Sequence, residues 1–142
     1  MRTAIAVVTA GVILMAISGQ VARAEPAALP EVPAGGRVVF TDNPAIVDAR
    51  PAAIESWSRA RDANAVAVNF TTGTPACSGV HAEVHEGDDD VTVALQSGTL
   101  PDAIGRMCIM LAVFGTLEVP LRAPLGDRRV LSASAPTLDK PR

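Results

Sequence analysis

Residues 77–112 read CSGVHAEVHEGDDDVTVALQSGTLPDAIGRMCIMLA. From Gly79 to Glu86 the chain alternates: Val80, Ala82 and Val84 fall on one phase, His81, Glu83 and His85 on the other. Gly87 and Asp88 to Asp90 supply a hairpin loop. The return strand sends Val91, Val93 and Leu95 inward and Thr92, Ala94 and Gln96 outward. A period of two with one apolar and one polar face marks an antiparallel sheet buried on one side only. A Gly/Pro turn follows at Ser97 to Asp102, then the most apolar run of the chain, Arg106 to Phe114. That run is apolar on both alternating phases. It is short for a helix and rich in Val, Ile and Phe, so the pattern predicts a strand at the centre of the fold, covered on both sides. One cysteine lies before the hairpin, the other within this run.

On the N-terminal side, Ala65 to Thr71 alternates with Val66, Val68 and Phe70 on one face. Arg37 to Thr41 is a short strand candidate, and Asp42-Asn43-Pro44 a turn. Ala45 to Arg61 is ambiguous: the spacing of Ile54 and Trp57 allows a short helix from Pro51 or an edge strand over Ile54 to Arg59. Trp57, the single tryptophan, reads as a packing residue at the rim of the core, with a ligand anchor as the alternative. On the C-terminal side, Thr116 to Arg122 places Leu117, Val119 and Leu121 inward. Pro120 on the outward phase implies an edge strand or a bulge. Pro124-Leu125-Gly126 is a turn and Asp127 to Ser132 a last short strand. About seven or eight short strands divided by Gly, Pro and Asp turns predict an all-β protein, a small antiparallel β-sandwich.

The chain begins as an exported protein does. Arg2 precedes an uncharged apolar run from Thr3 to Ile17, and Ala22-Arg23-Ala24 is an A-x-A cleavage site. The expected organisation is a signal peptide over 1–24, cut between Ala24 and Glu25, with a retained anchor as the alternative. A Pro/Ala/Gly-rich linker over 25–36, a β-sandwich domain over 37–132 and a loose tail over 133–142 follow. Loss of Arg2 and Arg23 leaves ten basic against fifteen acidic residues, a net charge of −5. That balance, with no tyrosine and no basic stripe, argues against nucleic acid and against an anionic membrane surface. No stable membrane insertion is expected after signal cleavage. Two cysteines in an exported chain point to one disulfide, Cys77 to Cys108, over buried free thiols or half of a metal site.

Four segments, taken in order, resemble a family of small exported proteins of high-GC Gram-positive bacteria. They are FTTGTPAC over 70–77, GVHAEV over 79–84, GTLPDAIGRMCIM over 98–110 and PLGDRRVL over 124–131. The resemblance covers roughly Phe40 to Ser132. It implies a signal peptide, a cysteine pair at Cys77 and Cys108 and a β-rich domain closing at the PLGDR turn. The family is uncharacterised, so the resemblance implies no activity and carries over no functional residues. It, and not the local pattern, favours the edge strand over Ile54 to Arg59.

Candidate chemistry is sparse. His81, Glu83 and His85 share one strand face at about 6.7 Å spacing, so an adjacent pair could bind a metal while the ends stay about 13 Å apart. The competing reading is a wet polar face. Glu86 and Asp88 to Asp90 lack the D-x-D-x-D-G spacing of a calcium loop and read as a solvated hairpin tip. Ser78 lies near His81, but no G-x-S-x-G occurs, and a cysteine nucleophile conflicts with the disulfide. Phosphate loops are absent, and aromatic residues are too few to wall a sugar cleft. The expectation is no cofactor and no catalytic set. A non-enzymatic module binding a protein, envelope component or small ligand comes first. A metal-binding protein or metal-dependent enzyme using His81, Glu83 or His85, and a purely structural envelope module, are the alternatives.

Overall fold

The computed structural model of the protein describes residues 25–133. The expected signal segment over 1–24, with its cut after Ala24, and residues 134–142 of the expected tail lie outside the described residues. Within them run nine strands: β1 Ala27–Ala28, β2 Val38–Phe40, β3 Val47–Ala52, β4 Ser56–Arg59, β5 Ala65–Thr72, β6 Ser78–Glu86, β7 Asp90–Thr99, β8 Val113–Pro120 and β9 Arg129–Ser132. A single 3₁₀ turn occupies Pro101–Ala103. The fold is all-β, two sheets packed face to face, as the alternation predicts.

The first sheet is built on the β6–β7 hairpin. β6 pairs with β7 along its whole length, from Ser78 opposite Thr99 to Glu86 opposite Val91. The other edge of β7 is shared. β9 runs parallel against Asp90 to Val93, and β3 runs antiparallel against Leu95 to Thr99. β1 extends this sheet beyond β9. The second sheet has the order β2-β8-β5-β4, with β2 parallel to β8 and the other pairs antiparallel. The inward phases meet between the sheets: Val80, Val91, Val93 and Leu95 from one, Val66, Val68, Phe70, Leu117 and Val119 from the other. Trp57 packs with them at 6% exposure and donates its indole N–H to the Leu29 carbonyl at 3.2 Å, while the Arg59 guanidinium lies over its ring. The packing-residue reading of Trp57 agrees with this placement.

Four sequence expectations need correction. The run Arg106 to Phe114 is not a central strand. Only Val113 and Phe114 enter β8, and Cys108 to Ala112 lie exposed outside both sheets. Second, β8 is interior to its sheet, not an edge. Pro120 is tolerated because β2 reaches only from Gly115 to Leu117, so no ladder bond is asked of proline on that side. Third, the ambiguous stretch Ala45 to Arg61 holds two strands and not one: Pro51 lies in β3, a polar edge strand with a register shift between Val47 and Arg50, ahead of the expected edge strand. Fourth, the stretch 25–36 is built into both sheets. Ala27 and Ala28 pair with β9, and the Pro30 carbonyl and Val32 N–H bond to Trp57 on the outer edge of β4. The edge strand within Ile54 to Arg59 is present as β4.

A polar knot fastens the PLGDR turn to the hairpin. The Glu86 carboxylate accepts the backbone N–H groups of Arg122 at 2.7 Å and Ala123 at 3.3 Å, and the Arg128 guanidinium at 3.2 Å. Arg128 also donates to the carbonyls of Ala123 and Pro124. The Arg122 N–H foremost, then that of Ala123 and Arg128, hold the carboxyl below its ordinary value of 4.5 against the opposing pull of its burial. A depressed carboxyl contributes stability that is fully present above the unfolded value and is lost as pH falls through the folded one. Glu86→Gln should therefore lower stability by roughly 1–2 kcal/mol at pH 7, less than the roughly 1.5–3 kcal/mol of hydrogen bonds to a charged group because the glutamine oxygen still accepts. Urea unfolding should find the gap to wild type shrinking as pH drops below 4.5. A gap that stays constant down to pH 3 would exclude this role for the carboxylate.

Candidate functional site

Cys77 and Cys108 form the disulfide, with 1.98 Å between the sulfurs and 6.2 Å between the Cα atoms. Neither is a free thiol, which leaves no cysteine nucleophile. Cys77 is buried in the turn before β6, where its carbonyl accepts the Leu100 N–H and its own N–H donates to Thr74. Cys108 is exposed. The bridge thus joins a rigid corner of the first sheet to a segment that leaves the body of the protein.

That segment starts at the 3₁₀ turn. The Arg106 N–H bonds back to Ala103, and Gly105 takes a φ of +79°, which a side chain would resist. From Met107 to Ala112 the chain leads into β8 outside any strand, with a tight turn about Met110. Among the described residues its only backbone hydrogen bond there is Leu111 N–H to the Ile109 carbonyl. Its side chains are large, apolar and in water. Met107 and Met110 are fully exposed, Ile109 is 71% exposed and Leu111 57%; Ile104 and Phe114 flank them at 61% and 66%. Phe114 is on the outward face of β8 opposite Thr71. Val39 on β2 is 74% exposed and pairs with Thr116, which sets it diagonally beside Phe114. No ionisable residue occurs between Arg106 and Glu118 other than the bridged Cys108. A groove of about 470 Å³ separates Cys108–Ala112 from Thr71–Thr74, Ser78 and Thr99. Together these residues form an apolar ledge, stapled at Cys108 and open to solvent.

The residues singled out as possible metal ligands are arranged otherwise. His81, Glu83 and His85 alternate along the outward face of β6, opposite Gln96, Ala94 and Thr92 on β7, and none of these three neighbours is a metal-ligating histidine, cysteine or carboxylate. Among the described residues no group of three or more His, Cys, Asp and Glu side chains is placed to hold a metal. His81 instead holds Asp42: its Nδ1 is 3.0 Å from Oδ1, and the same oxygen accepts the Ala82 N–H at 2.8 Å. This pair ties the chain after β2 to the edge of β6, where Asp42 bridges Val80. Ser78 shares the inward phase of Val80, so it points away from His81 across the strand. Of the acidic tip, Glu86 is committed to the Arg122–Arg128 turn, and Asp90 lies 3.9 Å from Arg129.

Sequence reasoning missed the ledge because an uncharged apolar run carries the same pattern whether it is buried or exposed. The available signal was Cys108 in its middle. A bridge to Cys77 drags the run toward the end of the first sheet. Comparison with known proteins finds no matching family model, curated sequence or solved structure.

Proposed function

We propose that the protein is an exported, non-enzymatic binding module that presents the apolar ledge to a protein partner. The observation that carries this reading is the run of six large apolar side chains, Ile104, Met107, Ile109, Met110, Leu111 and Phe114, each more than half exposed on one stapled segment. Monomeric proteins rarely leave contiguous apolar patches beyond a few hundred Å² without a use for them, and such patches mark interaction sites. Methionine suits the role, being flexible and polarisable enough to fit an irregular surface. Export is supported by the A-x-A site and by the disulfide, which persists in oxidising compartments. No helix among the described residues is long and apolar enough to cross a membrane.

The test is the double substitution Met110→Lys with Leu111→Lys. Both side chains lie outside the core, so the unfolding midpoint should move by no more than about 0.5 kcal/mol. Protein immobilised through its C-terminus should capture partners from a cell-envelope extract, and the double variant should retain less than about a tenth of them, as loss of a central contact implies. Identical capture by wild type and variant would remove the ledge from the function.

A further inference from the structure

We infer that the ledge takes an extended, uncharged apolar segment of another polypeptide as an added β-strand along residues 107–113. This rests on the binding reading above and specifies what is bound.

The backbone makes the case first. Residues 107–112 lead into β8, yet both neighbouring strands stop short of them. β5 pairs with β8 only up to Thr72 opposite Val113, and β2 only from Val38 opposite Gly115. Among the described residues no strand pairs with these six, and the turn bond from Leu111 N–H to Ile109 is their one backbone hydrogen bond, which an added strand would replace. Unpaired apolar backbone leading into a strand is a template for another strand, and folded proteins usually blunt such edges with charge or proline. Here neither occurs between Arg106 and Glu118.

The groove gives the side chains of an added strand somewhere to go. It follows the same residues, Cys108–Ala112, and faces Thr71–Thr74 across a width that the divergence of β8 from β5 opens. Strand addition takes affinity from main-chain hydrogen bonds and selectivity from pockets for alternate side chains. Charge sets the class of occupant. A lysine or glutamate entering this groove would lose water and meet no counter-charge, so the segment that fits is uncharged. The backbone also separates a polypeptide from a lipid. Hydrocarbon cannot satisfy the open N–H and C=O groups of an irregular exposed segment, whereas a strand can.

The experiment uses the full disulfide-bonded protein and two synthetic peptides, an acetylated, amidated Thr-Val-Thr-Val-Thr-Val and the same peptide N-methylated at every backbone amide, which removes the donors of both its edges. Hydrogen exchange is read with and without each. The first peptide should slow exchange of the amides within 107–112 by about tenfold or more, as new ladder bonds do. The N-methylated peptide should have no effect, and Ile109→Pro, with an unchanged melting temperature, should abolish the response. Equal protection by both peptides would overturn strand pairing while leaving side-chain docking on the ledge intact. Protection without peptide that grows with protein concentration would assign the edge to a second copy of this chain and overturn the inference. Protection by phosphatidylcholine vesicles but by neither peptide would overturn it in favour of a membrane. The Met110→Lys, Leu111→Lys capture assay reports separately on the binding reading.

Discussion

Phe70→Ala is expected to destabilise the protein by about 4 kcal/mol, in the range measured for aromatic truncation in cores. Phe70 is 1% exposed in the middle of the second sheet and packs edge-to-face on Phe40 with 5.4 Å between centroids. The chain has only three phenylalanines, one tryptophan and no tyrosine, so these two rings are half of its aromatic residues. Gly115 sits directly opposite Phe70 in the ladder and leaves room for both rings. A Cβ there would fall 2.7 Å from the Phe70 ring and 2.8 Å from that of Phe40. The cavity left by alanine would thus be bordered by a residue with no side chain to fill it. For a domain whose total stability is about 5–10 kcal/mol, the midpoint of urea unfolding should fall by roughly half. Gly115→Ala alone should also destabilise, by about 1–3 kcal/mol through overpacking. Combined with Phe70→Ala it should cost less than the sum, a coupling that a double-mutant cycle reads directly. A shift below about 1 kcal/mol for Phe70→Ala would show that the ring does not fill this core.

The parts of the fold that were legible in the sequence are those where one face is buried and one wet. The strands β5, β6 and β7 carry that pattern in Val66, Val68 and Phe70, in Val80, and in Val91, Val93 and Leu95, and all are built with the predicted phase. Legibility fails where pairing, not burial, makes the strand. β3 is exposed over Asp48 to Pro51 and exists because β9 leaves half of one β7 edge free. No local pattern encodes that vacancy. β1 is two alanines whose place depends on β9, more than a hundred residues later. The partner of His81 was out of reach for the same reason: Asp42 is 39 residues away and meets it only because the chain crosses from β2 to the edge of β6. The ledge is the reverse case. Its pattern was visible and was read as core, because hydrophobicity along a chain reports absence of charge and says nothing of water. What decides between the two is the bridge at Cys108, whose consequence is spatial.

That bridge carries the second large expectation. Cys77→Ser with Cys108→Ser should lower stability by about 3.5 kcal/mol, the chain-entropy value for a loop of this length. The loop spans 31 residues and encloses β6, β7 and the 3₁₀ turn. Most of the loss comes through the unfolded chain, since β6 and β7 keep their own ladder and their places in the first sheet without the bridge. Far-ultraviolet circular dichroism should accordingly remain that of a β protein while the melting temperature falls by more than ten degrees, about the shift that such a loss gives a domain of this size. The local effect is distinct from the global one. Among the described residues Met107 to Ala112 make one backbone hydrogen bond and bury no large side chain, so the sulfur bond is what fixes their course. Released from Cys77, they should open at almost no free-energy cost and become the first site of proteolysis. Limited chymotrypsin digestion under native conditions should cut the double variant within 104–114, while the bridged protein is cut there far more slowly. Binding should weaken beyond what the lost stability explains, because a segment that must be ordered on contact gives up part of the interaction free energy that a stapled one keeps. Free thiols in the native protein, or cleavage at the same rate with and without the bridge, would overturn the view that the disulfide exists to hold the ledge in place.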